Sequence, residues 1–435
     1  MFIRGVKKGF LSYKFRMLML LLLLISLIYF SSTIAIAFSE SLSLNEKIAN
    51  IEGRIRHLRT GDLIIRVVNE KDEPITGAVV NLEQIKHNFE FGTALSTEVF
   101  TNKYSAIDKE KYLNTAKKLF NASVPENSLK WYSTESQRGK VSYVDNDNIL
   151  QWSLKNGMRM RGHTLFWEKE IHNQPWLKSL SKTELKKAIE KRTKEVCLRY
   201  KGRIHEYDVL NEILHGDFFE KKLGPSIIKK MFLLCKQVDP NARLYLNEYF
   251  SKPNDLNRYV QLIRDLLKQG VPIGGIGFQG HIRGKVNAVE MQVILDTLGQ
   301  FGLPIKITEF DVLSDTEQDK VEVFRDVYRV AFAHPATKGI LMWGFWAGAH
   351  WEPKAALFRK DWQPLPIAKA YQDLVYNQWW TRVNTLTNEA GEIKIRAFFG
   401  EYFLKVNAGN QVSQMRVLFA PGDSGNFVKV VMANG

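Results

Sequence analysis

The sequence predicts an α/β protein: a (β/α)8 barrel with a small accessory β-sandwich built from the segments before and after it. Three observations carry this. Between residues 87 and 380, short apolar runs alternate eight times with amphipathic helical stretches. The stretch is of the size of a closed barrel, typically about 250 residues or more. No glycine-rich phosphate loop follows the first run, which argues against an open doubly wound sheet.

Taken in order, residues 1–37 read as an export signal. Arg4, Lys7, Lys8, Lys14 and Arg16 precede the apolar run Met17 to Phe30, and Ala35-Ile36-Ala37 offers the small residues of a cleavage site. The uncharged stretch runs from Met17 to Ser39, long enough for an uncleaved membrane anchor instead. The expected location is secreted, or cell-surface or periplasmic. Residues 38–86 read as a linker and a β-hairpin. Its strands are Leu63–Val68 and Ala78–Leu82, with a polar turn through Asn69 and Pro74. Residues 381–435 repeat the pattern, with Ile393–Phe399 and Tyr402–Val406 either side of Gly400-Glu401. An isolated hairpin is marginal, so the two ends are expected to pack together. That module could bind polysaccharide, but its strands carry no clear aromatic platform and a stabilising cap is the preferred reading.

Within the barrel, residues 87–380, the runs are Phe91–Leu95, Ala122–Val124, Met160–Trp167, His205–Asn211, Arg243–Leu246, Gly275–Gln279, Ile305–Phe310 and Gly339–Phe345. The helices between them begin with Lys109–Phe120 and end with Ile367–Tyr376. Asn121-Ala122-Ser123 is a glycosylation sequon by pattern, expected to be unused inside the barrel. Cys197 and Cys235 fall on successive helices. An exported location permits a disulfide, and two buried thiols are as compatible with the sequence.

The chain has 435 residues, 45% hydrophobic and 25% charged, which excludes extensive disorder. The formal charge is +15, or +10 once the five basic residues named above are removed. No nucleic-acid motif accompanies it, so no nucleic-acid partner is expected. An anionic surface or an acidic polymer remains as a target of such a charge, while the lysines spread over helices such as Leu185–Arg199 read as solvated faces.

In such barrels the chemistry sits where the strands end. The successive ends deliver Glu126, Asn127 and Lys130; His163, Trp167 and Glu168; Asn211 and Glu212; Asn247; Gln279 and His281; Glu309; and Trp343 and Trp351. Carboxylates, amides, imidazoles and indoles thus converge on one rim. Cleaving a glycosidic bond requires two carboxyl groups flanking it. Glu212 and Glu309, each after an apolar strand, form the best pair. A single glutamate there would be an ordinary solvated strand end; two with Asn, His and Trp beside them are harder to explain that way. No H-x-H motif stands at a strand end, so neither a metal nor a cofactor is expected. Both cysteines lie on outer helices, away from the rim.

At these same residues the chain resembles glycoside hydrolase family 10, the endo-β-1,4-xylanase family. The matching pieces are Val124-Pro125-Glu126-Asn127 with Lys130-Trp131, Arg161-Gly162-His163-Thr164-Leu165-Phe166-Trp167, Tyr207 to Glu212, Leu244 to Asn247, Gly275 to His281, Ile307 to Asp311, and Met342-Trp343-Gly344. The resemblance implies a retaining mechanism with Glu212 as acid/base and Glu309 as nucleophile, about 5–5.5 Å apart. It implies that Glu126, Asn127 and Lys130 hold sugar on the non-reducing side of the cut. It places His163, Asn211, Gln279, His281, Trp343 and Trp351 around the attacked sugar. There are departures. Glu168 stands where many members have His, and would put a carboxylate near that sugar. Glu248-Tyr249-Phe250 replaces the commoner Asp-Tyr-Asn. Trp167-Glu168, the β-module and Trp379-Trp380-Thr381 look like the plant-type branch. The implied partner is xylan; the positive charge favours glucuronoxylan, and a monomer is expected. A related β-glycanase or transglycosylase, and a non-catalytic carbohydrate-binding protein, are the alternatives.

Overall fold

The computed structural model describes residues 46, 49–422 and 426–433. The export signal or anchor expected at 1–37 lies outside them. The chain divides into two units, residues 1–51 and 52–435. In the first, Asn50 N donates to Glu46 O at 3.1 Å. No helix among the described residues is long and apolar enough to cross a membrane.

Two strands come first, β1 (Thr60–Asn69) and β2 (Val79–His87). The barrel strands follow: β3 (Glu90–Leu95), β4 (Ala122–Pro125), β5 (Arg159–Met160), β6 (Phe166–Trp167), β7 (Glu206–Asn211), β8 (Arg243–Glu248), β9 (Gly275–Phe278), β10 (His281–Arg283), β11 (Ile305–Leu313) and β12 (Thr337–Met342). They pair in parallel in the order β5-β4-β3-β12-β11-β9-β8-β7-β6. β5 and β6 are two halves of one predicted run, Met160–Trp167. Gly162 bridges Tyr207 between them, so this split strand closes the barrel. Gly162 is required there, because a Cβ would stand 2.4 Å from the Tyr207 ring. β7 and β9 are buried along their whole length, as strands covered on both faces must be. The eight helices predicted between strands are present, from Ala106–Leu119 to Pro366–Gln372.

The remaining strands are β13 (Arg382–Leu386), β14 (Glu392–Phe398), β15 (Gly400–Ala408), β16 (Gln411–Phe419) and β17 (Phe427–Met432). They form two further sheets with the first two strands, β14-β1-β17 and β13-β2-β15-β16. Leu63, Ile65 and Val67 from one sheet pack with Leu82, Tyr402 and Leu404 from the other in one core. The hairpin expectation is corrected here. β1 and β2 lie in different sheets, and so do β14 and β15. The Asn69 side chain accepts from Lys71 N and Glu73 N and turns the chain back for a single bridge, Val68 to Pro74. Gly77, at φ 73°, then precedes the crossing to the opposite sheet. β1 instead pairs antiparallel with β14 and parallel with β17.

The open reading of the cysteines is settled, and the sequon has a structural role. Cys197 and Cys235, on helices Lys182–Arg199 and Ser226–Val238, form a disulfide with Cα atoms 5.7 Å apart. Asn121 spends its amide on the backbone: Nδ2 donates to His87 O and Phe89 O, and Oδ1 accepts from Phe91 N. It is not available for a glycan while the barrel is folded.

The barrel interior holds a buried charge cluster. Lys306 Nζ pairs with Glu90 and Glu206, while Arg161 pairs with Glu206 at 3.2 Å and with Asp208. The Lys306 side chain is 1% exposed. Lys306→Met takes the shared ammonium from two interior carboxylates, leaving Glu206 with Arg161 and Glu90 with Arg159 at 3.4 Å, and stability should fall by about 3–5 kcal/mol. Denaturant unfolding checks this; a loss under about 1 kcal/mol contradicts it.

Candidate active site

The strand ends converge on a cleft of about 790 Å³. Glu126, Asn127 and Lys130 enter it after β4, and Trp167 closes β6. Glu212 and Gln279 follow β7 and β9, His281 opens β10, Glu309 lies within β11, and Trp343 and Trp351 come from the loop after β12. Glu212 has φ 60°, a conformation few non-glycine residues adopt, and strained backbone of this kind clusters at functional sites.

Three of the predicted residues lie under the cleft floor. Asn211 Nδ2 donates to Glu212 Oε1 at 3.3 Å. Asn247 Nδ2 donates to Asn211 Oδ1 at 2.9 Å and to Glu309 Oε1 at 2.7 Å. An amide relay thus joins the two carboxylates. Thr308 Oγ1 donates to Asn247 Oδ1 at 2.6 Å, which fixes which end of the amide faces Glu309. Gly277 makes room for it, since a Cβ there would lie 2.4 Å from that oxygen. His163 is hydrogen-bonded through Nδ1 to Asp208 Oδ2 at 3.0 Å and packs edge-on to Trp343. Asn211 and Asn247 hold the two carboxylates, and His163 holds Asp208 and the Trp343 wall.

The two carboxylates have different surroundings. Glu309 Oε2 lies 3.4 Å from His281 Nε2, and His281 Nδ1 lies 3.0 Å from Asp311 Oδ2. Burial alone would pull the imidazole down, but its bonds to Asp311 and Glu309 outweigh burial and raise it to about 9. Asp311 also accepts from Trp351 Nε1 at 2.8 Å and Arg283 Nη1 at 2.7 Å, locking that wall. The stabilisation from the imidazolium is complete below about pH 6.5, its unfolded value. It fades as pH rises through about 9. Unfolding of wild type and His281→Gln at pH 6 and pH 10 should show a larger loss at pH 6; equal losses contradict this.

Glu212 Oε1 accepts from Gln279 Nε2 at 3.1 Å, and Oε2 pairs with Lys169 Nζ at 2.7 Å. Burial pushes this carboxyl up; Lys169 and Gln279 more than reverse that and hold it below the usual range. On the other side Lys130 Nζ donates to Asn127 Oδ1 and sits 4.7 Å over the Trp167 ring. Burial lowers the Lys130 ammonium, against the pull of Glu309 and Glu126.

Glu168 is the correction. Its side chain does not reach the cleft and is fully buried. β6 ends at Trp167, and Glu168 Oε2 turns away to accept from Phe219 N at 2.8 Å, at the start of helix Phe218–Leu223. Burial raises its carboxyl to about 8. Gly216 admits this contact, because a Cβ would meet the Glu168 backbone at 2.4 Å. The next residue, Lys169, takes the place in the cleft. Sequence reasoning missed it, along with His172, which stacks on Trp167 at 3.6 Å, and Tyr249, which accepts from Lys169 Nζ at 3.0 Å. Tyr249 is braced by His215 at 4.0 Å, itself bonded to Glu248 at 2.9 Å.

The glycosyl hydrolase family 10 model matches residues 81–375. Anti-sigma-I factor RsgI6 of Acetivibrio thermocellus is 34% identical over 81% of this chain and 46% of its own. Endo-1,4-beta-xylanase 3 of Arabidopsis thaliana is 33% identical over 83% of this chain and 48% of its own. The chain thus spans about half the length of these two relatives. Among solved structures, xylanase 10B from Thermotoga petrophila RKU-1 in complex with xylobiose superposes with a TM-score of 0.62 at 29% identity, covering 67% of this chain and 95% of that one. The chain belongs to glycosyl hydrolase family 10.

Proposed function

We propose that the chain is a retaining endo-β-1,4-xylanase. The observation that carries this is the pair Glu212 and Glu309, joined by the Asn211–Asn247 relay and facing one cleft. Glu309 is aimed by the His281 imidazole and the Asn247 amide. It attacks the anomeric carbon while Glu212 gives its proton to the leaving oxygen, forming a glycosyl ester. Glu212, now anionic, takes a proton from water. That water displaces Glu309 and restores the original anomeric configuration. Lys130, Trp167 and Trp343 offer a cation and two indole faces for a sugar on the non-reducing side.

Endo action is supported by shape. Past Glu126 and Asn127 the cleft meets a second depression of about 950 Å³, bordered by Tyr104 and Trp351, long enough for further sugars. The Arabidopsis and Thermotoga xylanases support xylan, and export is supported by the residues before Ala37 and by the disulfide. Glu168 gives no argument for a different glycan, because it is buried away from the cleft. A non-catalytic binding protein would not need both carboxylates held in register.

Product release from glucuronoxylan, arabinoxylan, mixed-linkage glucan and cellulose tests the reading. Short xylo-oligosaccharides from wild type, and none from Glu309→Ala, are expected. Cleavage of a glucan with xylan untouched overturns the substrate. No cleavage of any polymer overturns the enzyme.

A further inference from the structure

The partner of Glu212 Oε2 is unexpected. A group that must hand a proton to the leaving oxygen is paired with an ammonium, which favours its ionised form. Lys169 is not a buried structural cation, since its side chain is 28% exposed. Its ammonium also lies 4.7 Å from the Tyr249 ring, and both residues line the cleft. The carboxylic acid of a retaining enzyme faces the leaving oxygen, so Lys169 and Tyr249 stand where the sugar beyond the cut must pass.

We infer that Lys169 is a specificity-determining residue that binds the carboxylate of a uronic acid side group on the leaving-side sugar, exchanging Glu212 for the substrate. This rests on the xylanase reading above and names the substrate class of that site. In the free enzyme the ammonium pairs with Glu212. A branched substrate brings its own carboxylate, takes over the ammonium, and leaves Glu212 free to hold the proton that the first step consumes. An unbranched substrate must part the same pair with nothing to replace it. The other groups that act on Glu212 stay in place: Lys130 after β4, His172 in the loop after β6, and the amides of Asn211 and Gln279. The positive net charge adds a longer-range attraction for an acidic polymer.

The test compares kcat/KM on linear xylo-oligosaccharides and on oligosaccharides bearing one glucuronic acid branch. The enzymes are wild type, Lys169→Met and Lys169→Arg. Wild type should favour the acidic substrate by about tenfold, with the branched sugar found at the non-reducing end of the released product. The preference should fall to about one in Lys169→Met and largely return in Lys169→Arg. On the linear substrate, the alkaline limb of the kcat/KM profile should move to higher pH in Lys169→Met, because Glu212 is no longer held ionised. Equal preference in wild type and Lys169→Met, with both cutting linear xylan, overturns the assignment of Lys169 alone. Wild type that cuts neither substrate overturns the xylanase reading itself.

Discussion

Glu309→Gln should lower kcat on xylan by about 10⁴-fold or more, a loss comparable to removing a member of a catalytic unit elsewhere. The substitution keeps the size of the side chain, and its amide oxygen can still accept from Asn247 Nδ2, the 2.7 Å contact of the native residue. The expected defect is chemical. An amide does not displace the leaving sugar, so no ester forms. His281 loses one of the two carboxylates that keep it protonated, and its pKa should fall from about 9. A far-UV spectrum and unfolding curve close to wild type would assign the loss to chemistry. Activity within tenfold of wild type would remove Glu309 from the mechanism.

Glu212→Gln should show a different pattern. General acid–base catalysis contributes about 10²–10⁴-fold, so xylan hydrolysis should fall by that amount. A xyloside with a nitrophenolate leaving group needs no proton to depart. Its first step should persist, while the second still lacks a base. The expected result is a burst of one phenolate per enzyme followed by slow turnover. The burst separates the roles of the two glutamates, since Glu309→Gln should show none. Equal loss on xylan and on the activated substrate, with no burst, would contradict the assignment of acid and base. Lys169 and Gln279 are the contacts to watch, because both hold the native carboxylate.

The barrel was legible because strands buried on both faces read as continuous apolar runs. Each of the eight also alternates with a helix of clear period. Ends of apolar runs located Glu212 and Glu309 for the same reason. What escaped was partner choice and direction. Leu63–Val68 has the pattern of a strand, but pattern does not say that it pairs with Phe427–Met432 some 360 residues away. Glu168 and Lys169 are neighbours, and only the turn after Trp167 decides which of them faces the cleft. Asn211, Asn247 and His163 are residue types that suit contact with a sugar and support of a carboxylate equally well. Their distances show the support directly: Asn211 and Asn247 bond the two glutamates, and His163 bonds Asp208. Cys197 and Cys235 were compatible with two states until the packing of their helices brought the Cα atoms within 5.7 Å.

The most direct test of the central claim is to trap the ester. A 2-fluoro β-xylobioside with an activated leaving group slows both steps by destabilising positive charge at the anomeric carbon, and slows the second enough for the intermediate to accumulate. Intact-mass measurement followed by peptide mapping should find one sugar per chain, carried by the peptide that contains Glu309 and absent from Glu309→Gln. Turnover of xylan without any adduct, or an adduct on Glu212 instead, would contradict the account.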